Sequence, residues 1–426
     1  MLTYLAMKRY YRRKKWKPPT ADFDILQLLP EETNATLAGE PPVAVVSFFD
    51  CRESDLAAAE AWITARVEKI AVANRWLAGR LVHAPDTGTK SLAVPRSLSK
   101  QDLTRLLLKN PENFCPSRSM NLEQLSAKCT KIELPYGSPA FDNDDVLTSR
   151  FVFARAPGGF CIVFAMSHIA GDGATFYKIF NQLSASAEVQ SLEPRRKMDF
   201  GEKLKLKLGM DVQKEVMSFS FMLSILKGYF FGGTVRGFTG FVDVEGVARA
   251  KVDAKRRGTV PFVSTNDILT STFANAYGAD VCFMAINYRG RISGVTDNLA
   301  GNYESVLLFD RTNAATPDRI RLTLRHPHFH CRDEPMPPLL RSLSARYGII
   351  TNWVSFSKPI NIPGCVEQVH RPVYDVKAMR AQVPFDAAIV FRAGAGKLGV
   401  FWMSKRGGSA RDVFGDMPIT DFVTEF

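Results

Sequence analysis

The chain has 426 residues, enough for two or more domains, and its 46% hydrophobic and 23% charged residues are ordinary for a soluble globular protein. No run of 18 or more apolar residues and no repeat with a period of 20 to 50 residues is present, which excludes a predicted transmembrane helix and a repeat architecture. The formal net charge is +12, and the seven cysteines form no CxxC pair, so we expect free thiols in a reducing compartment.

Part of the positive charge lies in residues 1–20, which contain seven lysines and arginines between Lys8 and Lys17. We expect a solvated, disordered basic N-terminal arm in a cytoplasmic protein. Peripheral contact of this arm with an anionic membrane, or a role in organelle targeting, is the alternative. Only the basic arm would favour a nucleic-acid partner, and we expect no such partner.

Residues 21–190 are predicted to form an N-terminal domain of alternating strands and helices. Residues 54–73 have the apolar spacing of a helix with Ser54 as a plausible N-cap. Gly79 ends the helical region and a strand follows. The turn Pro157-Gly158-Gly159 predicts a hairpin between its two flanking strands. The strands predicted in this domain are 43–49, 80–82, 131–134, 149–155 and 160–167.

Residues 191–235 change in composition and are predicted to be a partly helical crossover connection. Their most apolar part is 216–231, which we expect to pack as a helix or strand on the protein surface. A position in a membrane interface, or in the wall of an acyl pocket, is the alternative for this stretch.

Residues 236–426 are predicted to form a C-terminal domain of similar size. Its predicted helices are 264–277 and 338–347, and its predicted strands are 237–242, 281–287, 304–309, 349–355, 387–392 and 397–403. Mixed strands and helices in both halves indicate the α/β class.

A histidine at the end of a buried strand is the most informative feature of the sequence. His168 follows the apolar run 160–166, and Asp172, Gly173 and a helix-forming stretch come after it. An imidazole fixed by a strand suits a general base, because its ordinary pKa lies near neutral pH. Asp172 can brace the turn or cap the helix, and Gly173 permits a bend or the approach of a ligand.

Several short segments occur in the order found in one family. They are Leu77-Ala78-Gly79-Arg80-Leu81, His168-x-x-x-Asp172-Gly173, Ser264-x-Asn266-Asp267, Asn287-x-Arg289, Gly301-Asn302 and Thr351-x-Trp353. The set resembles the CoA-dependent acyltransferase superfamily and is nearest to its BAHD-type acyltransferases. The chain departs from them in lacking a DFGWG motif, and Ser167 stands where condensation domains have a second histidine.

The resemblance implies two chloramphenicol acetyltransferase-like domains, each a mixed sheet flanked by helices, with an active-site tunnel at their interface. It implies a monomeric enzyme with acyl-CoA as co-substrate, a small-molecule acceptor and no tightly bound cofactor. His168 would be the general base for an acceptor hydroxyl or amine, with Thr351 and Trp353 stabilising the oxyanion. Asp172 would bind Arg289. The resemblance assigns fold-determining roles to Gly173, Asn287, Gly301 and Asn302.

Three alternatives remain open. The enzyme could use a carrier-protein thioester, as condensation domains do, or the chain could be a non-catalytic binding protein of the same fold. His326, His328 and His330 would share one face of a strand and could bind a metal. Pro327 and the flanking arginines disfavour that strand, so we expect an exposed loop and no metal.

Overall fold

The computed structural model describes residues 22–33, 41–129, 132, 145–209, 212–216, 218–329, 332–333 and 336–426. The predicted basic arm of residues 1–20 and all but one residue of the predicted strand 131–134 lie outside these ranges. Among the described residues, no helix combines the length and the apolarity that crossing a membrane requires.

Strands and helices alternate along most of the described chain. The strands are β1 (Phe23–Gln27), β2 (Val43–Cys51), β3 (Arg80–His83), β4 (Lys90–Pro95), β5 (Leu107–Lys109), β6 (Ser149–Ala156), β7 (Gly159–Met166), β8 (Arg236–Val242), β9 (Val281–Asn287), β10 (Glu304–Asp310), β11 (Tyr347–Asn352), β12 (Cys365–Pro372), β13 (Asp386–Gly394), β14 (Lys397–Ser404) and β15 (Ile419–Thr424). The helices are α1 (Pro30–Thr33), α2 (Leu56–Ala73), α3 (Lys100–Leu106), α4 (Leu122–Cys129), α5 (Gly173–Phe180), α6 (Phe200–Leu208), α7 (Val212–Val216), α8 (Phe219–Phe231), α9 (Val244–Arg257), α10 (Thr265–Tyr277), α11 (Arg311–Ala314), α12 (Pro317–Arg325), α13 (Leu339–Ser342), α14 (Val376–Gln382) and α15 (Ala410–Phe414).

The N-terminal half is built on a five-stranded sheet with the order β12-β2-β7-β6-β5. The predicted hairpin is present, because β6 and β7 pair antiparallel from Ser149↔Met166 to Ala156↔Gly159. Every residue of β7 is buried, since the strand is central in the sheet and apolar side chains cover both of its faces. A smaller sheet, β1-β4-β3, completes this half.

The C-terminal half is built on a seven-stranded mixed sheet with the order β10-β9-β11-β13-β14-β8-β15. Strand β11 runs parallel to both of its neighbours, β9 and β13. Helix α10 begins where the sequence predicts, with Ser264 as N-cap and a capping box formed with Asp267. The predicted mixed α/β fold class is confirmed in both halves.

Strand β12 crosses between the two halves. It lies far along the chain, yet it pairs antiparallel with β2 and so forms an edge of the N-terminal sheet. The division of the chain at residue 236 therefore does not describe the sheets completely. The C-terminal half supplies one strand to the N-terminal sheet, so the two halves are joined by the hydrogen bonds between β12 and β2.

Two local predictions of helix boundaries are wrong. Ser54 does not cap α2, because residues 53–55 form a 3-10 turn and the N-cap is Asp55, whose side chain makes no capping hydrogen bond. The predicted helix 338–347 is shortened to α13. Strand β11 begins already at Tyr347, where pairing with Val281 of β9 outweighs helix propensity, and it ends before Trp353.

Candidate active site

His168 lies in the turn between β7 and α5. The buried strand fixes the backbone up to Met166, and the Ser167 N–H donates to the Thr148 carbonyl at 2.8 Å. The imidazole is partly exposed, with 17% of the side-chain surface accessible. The turn thus holds a histidine in a fixed position while leaving part of its ring accessible.

Asn302, which precedes β10, contacts His168 from the C-terminal half. Its Nδ2 donates to the His168 carbonyl at 2.8 Å and to Glu32 Oε1 at 3.0 Å, so the amide N–H groups both face acceptors. The Oδ1 atom therefore faces His168 Nδ1, 3.2 Å away, and must accept its proton. This network puts a hydrogen on Nδ1, so the neutral form of the ring keeps its lone pair on Nε2.

The partner of Asn302 is a buried ion pair that sequence reasoning missed. Glu32 in α1 is fully buried, and Arg196 Nε donates to its two oxygens at 3.0 and 2.9 Å. Arg196 also donates to the carbonyls of Ala170 and Ala300, at 3.0 and 3.1 Å, and so ties the His168 turn to the Asn302 segment. No local pattern around Glu32 signals its contacts with Arg196 and Asn302, because these two residues lie more than 160 positions away along the chain.

Glu304 is a third residue that sequence reasoning missed, after Glu32 and Arg196. Its Oε1 lies 3.7 Å from His168 Nε2, the ring nitrogen that carries the lone pair, and 28% of its side-chain surface is exposed. Side chains alternate between the two sides of an extended chain, so Asn302 and Glu304, two positions apart, lie on the same side. This spacing was the signal in the sequence that could have placed Glu304 near the site. The two residues contact opposite nitrogens of one imidazole.

Asp172 is completely buried and caps α5. Its Oδ1 accepts from the Thr175 N–H at 2.8 Å, while Oδ2 accepts from Arg289 Nη1 at 2.7 Å and from the Tyr303 N–H at 2.9 Å. Burial would raise the pKa of Asp172, but the Arg289 charge and these hydrogen bonds outweigh it and hold that pKa below its usual value. The carboxylate is therefore charged and fully engaged in structural contacts.

Arg289 connects the His168 turn to the C-terminal half. Its guanidinium is buried and also donates to Thr175 Oγ1 at 2.8 Å, to the Gly301 carbonyl at 2.9 Å and to the Leu299 carbonyl at 3.0 Å. Asn287 Oδ1 accepts from both the backbone and the side chain of Arg289, at 3.1 and 3.0 Å. Asn287, Arg289 and Gly301, three of the residues predicted to shape the fold, thus meet in one hydrogen-bonded group with Asp172.

Gly301 has a conformation that other residues rarely adopt, with φ +126°. A Cβ at this position would lie 2.8 Å from the Arg196 guanidinium carbon, so a side chain would displace the buried ion pair. Gly173 is less restricted, because a Cβ there would lie 3.4 Å from the Trp353 indole nitrogen. Both glycines permit close approach between the two halves.

Thr351 and Trp353 lie at the end of β11 and just after it. Trp353 is 6% exposed, and its indole Nε1 lies close to the first residue of α5, next to the His168 turn. Thr351 is half-buried in β11, opposite Ile389 of β13. The structure thus places Trp353 beside the His168 segment, whereas the contacts described for Thr351 are those of sheet pairing.

The described part of the histidine-rich segment, residues 325–329, does not form a strand. His326 ends α12, His328 follows in an exposed loop, and His330 lies outside the described residues. Among the residues that the structure describes, no group of three or more histidine, cysteine, aspartate or glutamate side chains is arranged to hold a metal ion.

Several solved structures share this fold. TRI101 of F. graminearum, complexed with ethyl coenzyme A, is 13% identical with a TM-score of 0.55, covering 90% of this chain and 95% of that chain. The first condensation domain of the CDA synthetase is 12% identical with a TM-score of 0.55, covering 92% and 93%. Polyketide synthase associated protein 5 from Mycobacterium tuberculosis is 12% identical with a TM-score of 0.56, covering 92% and 95%.

No protein-family model and no curated protein sequence matches the chain. The structural similarity extends over about nine tenths of the chain at very low sequence identity. It shows that this chain shares the fold of these structures, in agreement with the predicted α/β fold class. Because a fold hosts more than one activity, the function has to be argued from the site.

Proposed function

We propose that this protein is an acyltransferase that moves an acyl group from acyl-CoA to a hydroxyl, or an amine, of a small molecule. The observation that carries the proposal is the arrangement around His168. Its Nδ1 is held by Asn302, and its Nε2 is on the other side of a partly exposed ring. A neutral imidazole with a fixed tautomer is ready to accept a proton at Nε2.

The reaction follows from that geometry. Nε2 of His168 takes the proton of the acceptor hydroxyl or amine as the acceptor atom bonds to the thioester carbon. The tetrahedral intermediate carries an oxyanion, and Thr351 Oγ1–H and Trp353 Nε1–H are the proposed donors to it. The carbon–sulfur bond then breaks, and the departing CoA thiolate takes the proton back from His168. Neither a metal nor a covalent enzyme intermediate is required.

Glu304 and Asp172 have different roles in this proposal. The Glu304 carboxylate lies beside Nε2 and stabilises the imidazolium that forms during the reaction. Asp172 is capped, paired and buried, so it braces the turn through Arg289 and does not exchange protons with the ring. Asn287, Gly301 and Gly173 support the same brace.

The donor and acceptor classes are supported by the structural neighbours. TRI101 structures contain coenzyme A together with deoxynivalenol or T-2 mycotoxin, which are small-molecule ligands. We propose acyl-CoA as donor and a small molecule as acceptor here, in a tunnel between the halves of a monomer in the cytoplasm. The acyl chain and the acceptor are to be found by screening.

The deciding experiment is a donor screen that measures thiol release. Purified protein is mixed with a panel of acyl-CoAs and a library of alcohols and amines, and His168→Ala is compared with His83→Ala. His83 is exposed at the end of β3 and provides a matched control. We expect His168→Ala to abolish transfer without unfolding the protein and His83→Ala to leave it unchanged. Near wild-type activity in His168→Ala would overturn the proposal.

A condensation-type enzyme is the second candidate. The CDA condensation domain shares the fold over 92% of this chain, which favours a carrier-protein thioester as donor. Ser167 in place of a second histidine argues against it. The two donors are distinguished by presenting the same acyl group on CoA and on a carrier protein. If only the carrier-bound acyl group is transferred, the condensation function replaces the CoA-dependent one.

A further inference from the structure

Helix α8 of the crossover connection and helix α13 of the C-terminal half expose an apolar surface, which we call the α8–α13 face. Among the described residues, 18 large hydrophobic side chains are exposed, and eight of them lie on α8, on α13 or directly after α13. The eight are Phe219, Leu226, Tyr229, Phe230, Phe231, Leu339, Leu340 and Leu343. Scattered exposed apolar residues are normal in proteins, but such a concentration indicates a surface that contacts something apolar.

Helix α8 is apolar on two sides. Its inner side packs Phe221, which is buried against Phe283 and Tyr347. Phe219 and Phe230 are eleven positions apart, which corresponds to three helical turns, and both point outward with 73% and 71% exposure. Phe219 and Phe230 therefore lie on the side of the helix that faces away from this core.

A cavity of about 310 Å³ opens behind this face. Phe231 and Leu343 of the face line it, together with four cationic side chains and one carboxylate, Asp386. The cations are Lys227, Arg346, Lys405 and Arg406. Even with Asp386 charged, the lining carries a net charge of +3, from four cations and one carboxylate. The cavity is therefore suited to an anionic group that arrives from the apolar side.

The two lysines of the cavity are held in place by the backbone. Lys227 donates to the Leu343 carbonyl, and Lys405 donates to the Gly228 carbonyl. Burial lowers the pKa of Lys405, and the nearby Asp386 opposes this shift. An anion in the cavity would further stabilise both ammonium groups. The contacts also connect α8 with α13, so the apolar face and the cationic cavity form one unit.

This unit is separate from the candidate active site. Tyr347 lines the cavity at the start of β11, whereas Trp353 follows the other end of that strand. Six residues of extended chain separate them by about 20 Å. The cavity is thus not the binding site for the reacting groups.

We propose that the α8–α13 face docks the protein on the surface of an anionic phospholipid membrane. The exposed aromatic and leucine side chains enter the boundary between headgroups and acyl chains, and the cationic cavity takes one lipid phosphate. The combination decides the occupant. A purely apolar partner would leave the net charge of +3 in the cavity uncompensated, and a soluble anion would leave the aromatic residues in water. The proposal is independent of the acyl-transfer reaction.

The test is flotation of the full-length protein with vesicles. Pure phosphatidylcholine vesicles are compared with vesicles that contain about 30% phosphatidylserine. We expect binding to the anionic vesicles only, and a loss of about tenfold or more in Phe230→Ser/Phe231→Ser and in Lys227→Gln/Lys405→Gln. The matched controls are Val244→Ser and Lys251→Gln in α9, past the opposite end of β8. Val244 is 65% exposed, and both controls should bind as wild type does.

Three results would overturn the proposal. Equal binding to neutral and anionic vesicles would show that the cavity cations do not contribute to membrane binding. Unchanged binding in the Phe230/Phe231 variant would show that another part of the chain, such as the basic arm, carries the contact. The third result is that wild type does not bind vesicles, but inorganic phosphate or coenzyme A protects it against unfolding and does not protect the lysine variant. That result would identify the cavity as a site for a soluble anion.

Discussion

Asn302 contacts His168 at two points, the backbone carbonyl and ring atom Nδ1, at 2.8 and 3.2 Å. The first contact fixes which way the amide faces, and the second then fixes the tautomer of the ring. A residue of the C-terminal half thus determines the protonation pattern of a histidine that the N-terminal half presents.

Asn302→Ala should lower kcat by about tenfold to a hundredfold and change KM little, because the ring loses its fixed tautomer while the substrate contacts remain. Steady-state kinetics with the best donor and acceptor measures the effect. Asn298→Ala is the control, since that residue is exposed in the same connecting segment. A loss confined to KM would show that Asn302 binds substrate and does not position the base.

Asp172→Ala should lower the free energy of unfolding by about 3 to 5 kcal/mol, because it leaves the buried Arg289 guanidinium without its counter-charge. Asp172→Asn keeps the cap to Thr175 and should cost less. Urea unfolding and activity are measured on both variants. If Asp172→Asn abolishes activity at unchanged stability, then Asp172 takes part in the chemistry and the bracing role is wrong.

Glu304→Gln should move the acid limb of the kcat/KM profile to lower pH by about one unit and lower the plateau rate. The reason is that the variant removes a negative charge 3.7 Å from Nε2, so the ring loses its proton more readily and is a weaker base. The measurement is the pH dependence of acyl transfer. An unshifted profile with a raised KM would instead identify Glu304 as a substrate contact only.

A second histidine, His370, contributes to the pH dependence of stability. His370 is fully buried between Ser47 Oγ at 2.8 Å and Tyr177 Oη at 2.9 Å, and burial, reinforced by Arg392, lowers its pKa well below the usual value. The unfolded chain therefore binds one more proton below about pH 6.5, so this histidine makes the folded state less stable as the pH falls.

His370→Gln should remove this pH-dependent term. Urea unfolding of wild type and variant at pH 7.5 and pH 5.5 measures it, and the difference between the two proteins should change by about 1.4 kcal/mol between these pH values. Equal acid sensitivity in both proteins would mean that His370 is protonated in the folded state.

The sequence predicts the mixed α/β class, the β6–β7 hairpin, the start of α10 and the location of His168 at a strand end. These features are local, because apolar alternation, turn glycines and capping residues act over a few positions. The placement of Arg289 beside Asp172 came from the family resemblance and not from any local pattern. The structure shows the contact at 2.7 Å.

The tertiary structure decides what lies farther apart. It brings β12 into the N-terminal sheet, places Glu32 under Asn302, and puts the Glu304 carboxylate beside Nε2. A single sequence carries little signal for such contacts, because a buried glutamate and an exposed one look alike until a distant arginine or amide is packed against them. The sequence by itself therefore determined that His168 is suited to accept the proton. Folding decided the tautomer of its ring and the charge that lies beside it.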